Sequence, residues 1–132
     1  PYDLVTVQIG VNDQYRGGSA AVYSDALETL LPDAITLAGG RRTGVVMLSI
    51  PDWSVTPHGA DFDRAAVGEQ IDAFNAAARR VCAVHGITWL DVTAATRTAP
   101  TEIAGDGLHP SAAMYRRWLA DLIPVAERLL ST

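Results

Sequence analysis

Three short apolar runs, Leu4-Val5-Thr6-Val7-Gln8-Ile9, Gly44-Val45-Val46-Met47-Leu48-Ser49-Ile50 and Ile87-Thr88-Trp89-Leu90, are separated by longer segments of helical periodicity. This alternation narrows the folds open to the chain more than any other feature. The runs are rich in β-branched residues and nearly continuous, the pattern of strands covered on both faces and hence of a parallel sheet. Each is stopped by Gly, Pro or Asp.

The intervening segments repeat apolar residues every three or four positions. Over residues 19–38 the set is Val22, Ala26, Leu27, Leu30 and Leu31, with Pro32 expected to bend the run or begin a second helix. Over 63–85 it is Ala66, Val67, Ile71, Phe74, Ala78, Val81 and Cys82, and Gly86 is placed to cap the end. Over 110–130 it is Met114, Trp118, Leu119, Leu122, Val125, Ala126 and Leu129, opened by Pro110, with Pro124 expected to kink or divide the helix. Strand, helix, strand, helix, strand, loop, helix is the order of an open α/β sheet with right-handed crossovers.

One domain over residues 1–132 fits this length, and 48% hydrophobic residues supply a core. The first strand starts almost at Pro1, as if a chain had been divided between two βα units. A sheet of three strands then has at least one bare edge, and the isolated polypeptide is expected to be marginal or self-associating.

A formal net charge of −5 disfavours nucleic acid or an anionic membrane surface as a broad partner. The basic pairs Arg41-Arg42 and Arg116-Arg117 read as solvated faces. No apolar stretch is long enough to span a bilayer. The single cysteine, Cys82, excludes an internal disulfide, and its apolar neighbours predict a buried thiol. Lack of cystines leans toward the cytoplasm without excluding a periplasmic site. No pair of histidines has metal-ligand spacing, and neither Gly17-Gly18 nor Gly39-Gly40 opens a helix after a strand as a phosphate-binding loop does, so no metal or cofactor is expected.

Candidate chemistry gathers after the strands, where open α/β sheets carry their functional loops. Gly10-Val11-Asn12-Asp13 follows the first strand. Asn12 could donate its amide N–H to a developing oxyanion; the block also reads as a plain turn, with the Asp13 carboxylate accepting local backbone N–H groups. Asp106-Gly107-Leu108-His109-Pro110 places a carboxylate three residues before an imidazole in a tight loop. His109 could serve as general base with Asp106 fixing its tautomer, or the two could close a surface turn before a helix. His58 and His85 read as ordinary loop and helix-end residues. The apolar segment Ile50-Pro51-Asp52-Trp53-Ser54-Val55-Thr56-Pro57 either walls a substrate cleft with Trp53 or packs that ring beneath the loop.

On these residues the chain resembles the SGNH hydrolases, also called the GDSL esterase/lipase family. Gly10-Val11-Asn12-Asp13 looks like its Gly-x-Asn-Asp block, Asp106-Gly107-Leu108-His109-Pro110 looks like its Asp-x-x-His block, and Ile50-Pro51-Asp52-Trp53 is similar to a segment of bacterial members. The resemblance covers nearly all of the chain, corresponding to the latter two-thirds of a family domain. It implies a flavodoxin-like three-layer α/β/α sandwich with a parallel sheet, here without its N-terminal βα units. It also implies hydrolysis of a small-molecule acyl ester by a serine nucleophile, with Asn12 in the oxyanion hole, Asp106 as orienting acid and His109 as base. No counterpart of the family's Gly-Asp-Ser block is present, and Ser19, Ser24, Ser49, Ser54, Ser111 and Ser131 lack its motif and position. The nucleophile is therefore expected upstream of this chain. The rival expectation is a non-catalytic α/β module that keeps the family shape and binds a ligand or partner.

Overall fold

The computed structural model describes residues 1–131. Its sheet has three parallel strands in the order β1 (Val5–Val7), β2 (Val45–Leu48), β3 (Thr88–Leu90). Val5 pairs with Val45 and Val7 with Met47, while Val46 pairs with Thr88 and Leu48 with Leu90. The strands are shorter than the apolar runs that announce them. All four residues of β2 are buried, as a central strand requires. Successive side chains point to opposite faces, and β2 shows the consequence. Val45 and Met47 join one core with Leu27, Leu31, Ile71 and Phe74, whereas Val46 and Leu48 join another with Met114 and Trp118.

The described residues also form five α-helices, α1 (Val11–Tyr15), α2 (Ala20–Leu37), α3 (Arg64–His85), α4 (Thr93–Thr98) and α5 (Ala112–Leu130). Helices α2 and α3 supply the first core and α5 the second, so the sheet is covered on both faces in three layers. Each of the wholly buried Leu27, Leu31, Ile71 and Met114 side chains is worth about 1.5–3 kcal/mol relative to exposure.

The long helices begin and end on sequence signals. Ser19, Asp63 and Ser111 accept the N–H of Val22, Ala66 and Met114 respectively, which satisfies one orphan donor in each first turn. Gly86 closes α3 in the left-handed conformation at φ +68°. Both helices run through their prolines undivided, so Pro32 begins no second helix and Pro124 does not split α5. The carbonyls four residues earlier, on Glu28 and Ala120, belong to exposed residues, so solvent is able to satisfy them in place of the missing backbone donor. Helix α5 starts at Ala112, after Pro110, with Ser111 as its cap.

Of the basic pairs, only Arg116 stays a simple solvated charge. Arg41 donates to the carbonyls of Tyr2 and Asp3, Arg42 to that of His85, and Arg117 grips Glu102. His85 is the helix-end residue expected, and its ring meets Glu28 at 2.7 Å.

Cys82 is buried, with its Sγ 3.5 Å from the Met47 sulfur, and burial pushes its thiol up to about 11. Thiol reagents at pH 8 are expected to label it only after addition of denaturant; rapid labelling of the native protein would contradict this packing.

Candidate active site

The segments leaving β1, β2 and β3 lie on one rim, and the first departs from expectation. Residues after Gly10 form the short helix α1, which places Asn12 in its first turn. Gly10 takes φ +112°, and a Cβ there would lie 2.6 Å from the Tyr23 ring, so the position admits only glycine without rearrangement. The Tyr23 hydroxyl donates to the Ile9 carbonyl at 2.8 Å, pinning the strand exit. Asp13 does not bond local N–H groups through its carboxylate as the turn reading expects; its backbone carbonyl accepts from Gly18 N–H at 2.8 Å, because a helical turn has replaced the open one.

The Asp106/His109 loop is a small hairpin. Ile103 and Pro110 form an antiparallel bridge, Ala104 N–H donates to the His109 carbonyl, and Gly107 turns the tip at φ +75°. Its base is tied to α5 by the Arg117 guanidinium, which reaches both Glu102 oxygens at 2.7 Å. Within it, His109 Nδ1 lies 2.5 Å from Asp106 Oδ2, while Asp106 Oδ1 accepts the N–H groups of Leu108 and His109 at 3.0 Å each. The Leu108 N–H, the His109 ring and the His109 N–H together hold the Asp106 carboxyl down to about 2. It is an anion at any ordinary pH, and an anion on Nδ1 directs the lone pair of a neutral imidazole to Nε2. That atom has no partner among the described residues, and the His109 side chain is 72% exposed.

A cleft of about 180 Å³ is lined by Gln8, Ile9, Val11, Ile50, Pro51, His109, Pro110, Tyr115 and Trp118. It brings Val11, the residue before Asn12, to the same cleft as the imidazole, while Asn12 itself is not in that lining. The buried indole N–H of Trp118, in the same lining, has no partner among the described residues.

Four of the six serines are otherwise placed. Ser19 and Ser111 cap helices, Ser54 is buried, and buried Ser49 accepts the N–H groups of Val92 and Thr93.

Behind this rim the second of the two readings of the apolar segment holds. Residues 53–61 hold two short 3₁₀ turns, and Trp53 packs beneath the loop, 6% exposed, with its Nε1 donating to Gln14 Oε1 at 2.8 Å. His58 is more than an ordinary loop residue: its backbone N–H donates to the Gly107 carbonyl at 3.0 Å, and its ring meets the Tyr15 hydroxyl at 3.3 Å. The region read as loop after β3 contains α4, whose Thr96 hydroxyl accepts the Asp52 N–H.

The sequence matches the GDSL-like lipase/acylhydrolase family over residues 1–117, and the chain belongs to that family. No curated protein sequence matches it. Solved structures share the fold. LAE5, an alpha/beta hydrolase enzyme from the metagenome of Lake Arreo, Spain, is 23% identical with a TM-score of 0.69, over 96% of this chain and 61% of its own. TesA is 22% identical with a TM-score of 0.68, over 96% and 63%. Phospholipase A1 from Streptomyces albidoflavus is 19% identical with a TM-score of 0.60, over 96% and 68%. The chain thus spans a little over three-fifths of the first two. Family membership supports a hydrolase role.

Proposed function

We propose that these residues form the acid–base and oxyanion side of a serine-dependent carboxylic ester hydrolase whose nucleophile lies outside the 132 residues. The observation that carries this reading is the 2.5 Å contact between His109 Nδ1 and an Asp106 carboxylate fixed by two backbone N–H groups, which leaves Nε2 for a substrate-side proton. In the reaction, His109 Nε2 takes the serine hydroxyl proton as the oxygen attacks the ester carbonyl carbon. The carbonyl electrons move to oxygen, and the Asn12 amide N–H donates to that oxyanion. Collapse of the intermediate breaks the bond to the alcohol, which leaves with the proton from His109. Water then attacks the acyl-serine with the same base assisting, releasing the acid and restoring the serine.

The full-length protein is expected to hydrolyse short p-nitrophenyl esters, and Asn12→Ala to lower kcat about 10²- to 10³-fold with little change in KM. No hydrolysis by the intact protein would favour a non-catalytic binding module; an Asn12→Ala variant as fast as wild type would remove that residue from the oxyanion hole.

A further inference from the structure

At the end of α1 and in the turn after β2 lies a group of rings that the proposed chemistry does not use. Trp53 forms its floor, meeting Tyr15 at a centroid distance of 5.1 Å and Phe62 at 4.9 Å, both edge to face. His58 sits among them, 6.0 Å from Tyr15 and 5.4 Å from Phe62. Packing explains Trp53, which is buried. It does not explain Tyr15 and Phe62, which remain 48% and 40% exposed and keep much of their apolar surface in water on the functional rim. The group is bounded on both sides by the proposed machinery: Tyr15 is one helical turn from Asn12 on α1, and His58 N–H holds the Gly107 carbonyl of the Asp106/His109 loop.

We propose that Tyr15, His58 and Phe62 form a platform that binds a flat-faced ring carried by the ester substrate, giving ring-bearing esters a binding advantage over acyclic ones. This rests on the hydrolase reading and goes beyond it by naming the substrate class. Tyr15 and Phe62 are tilted against each other at 56° with centroids 5.9 Å apart. Two such half-exposed rings can meet a third by stacking and by edge contact, the geometries aromatic groups favour. The axial C–H face of a pyranose offers the same chemistry as an aryl ring, so aryl and sugar esters are separate arms of one test.

The full-length protein is assayed with phenyl acetate, an acetylated methyl pyranoside and ethyl acetate. Phe62→Leu, which keeps apolar bulk against Trp53, and Tyr15→Leu are expected to raise KM about tenfold for at least one ring ester. For ethyl acetate the change should stay under about twofold, with kcat unaltered throughout. Tyr15→Phe keeps the ring and is expected to keep the preference. Independently of any variant, phenol or the methyl pyranoside should inhibit competitively where ethanol at equal concentration does not. Equal KM changes for cyclic and acyclic esters, or no selective inhibition by either ring compound, would overturn the platform while leaving the hydrolase reading intact. Undiminished turnover by His109→Ala would instead strike the assigned base.

Discussion

In the full-length protein, His109→Ala is expected to lower kcat for a short ester on the order of 10⁴-fold or more, with KM within a few-fold of wild type. The size follows from the geometry. The imidazole's Nδ1 is committed to an ionised carboxylate at 2.5 Å, and no other described residue hydrogen-bonds to it that could inherit its role. Asp106→Asn should also be severe, because an amide cannot fix the tautomer as the anion does. Its backbone partners are the N–H groups of Leu108 and His109, and Asn can still accept from them through its side-chain carbonyl. The hairpin should therefore survive in Asp106→Asn, and circular dichroism would separate lost chemistry from lost structure. A His109→Ala enzyme within tenfold of wild type would remove the imidazole from the mechanism.

Gly10→Ala is expected to destabilise the protein by about 3 kcal/mol or more and to lower its melting temperature by roughly 10 °C. Two effects add. The backbone at φ +112° disfavours any side chain, and the new methyl would meet two ring carbons and the hydroxyl oxygen of buried Tyr23 within 2.8 Å. The ring cannot simply withdraw, since it stacks on Phe74 with centroids 5.0 Å apart and its hydroxyl holds Ile9. Gly17→Ala provides the internal comparison: its φ is +80°, but nothing lies within 4 Å of the added carbon, so it should cost only about 1 kcal/mol. Equal effects of the two substitutions would show that the contact with Tyr23 contributes nothing. Because Gly10 is the N-cap of the helix that carries Asn12, its replacement should also depress activity beyond the loss of folded protein.

What was legible in the sequence was whatever depends on local chemistry. The central strand announced itself because Val45, Val46, Met47 and Leu48 are apolar on both faces, and α3 did so through its periodicity and Gly86. The Asp106/His109 pair was legible because three residues and one glycine suffice to bring the groups together. Helix α4 was not, since Thr93-Ala94-Ala95-Thr96-Arg97-Thr98 lacks an apolar stripe. It is held by partners distant in sequence: Arg97 pairs with Asp52 at 2.7 Å and Asp72 at 2.9 Å. Helix α1 was hidden for another reason: Gly, Asn and Asp favour turns, and the fold overrides them by burying Gln14 between Trp53 and Gln70. The Tyr15, His58 and Phe62 rings come from two segments more than forty positions apart, and no local pattern joins them.

The lone backbone bond from His58 to Gly107 makes the turn after β2 a strut for the hairpin that bears the imidazole. Substitutions there meant to broaden what the protein accepts will shift the proton-transfer group as well. In the proposed enzyme affinity and turnover would thus be mechanically geared, and variants that change one alone should be sought at Tyr15 or Phe62, whose side chains meet the His58 ring but not the backbone bond itself.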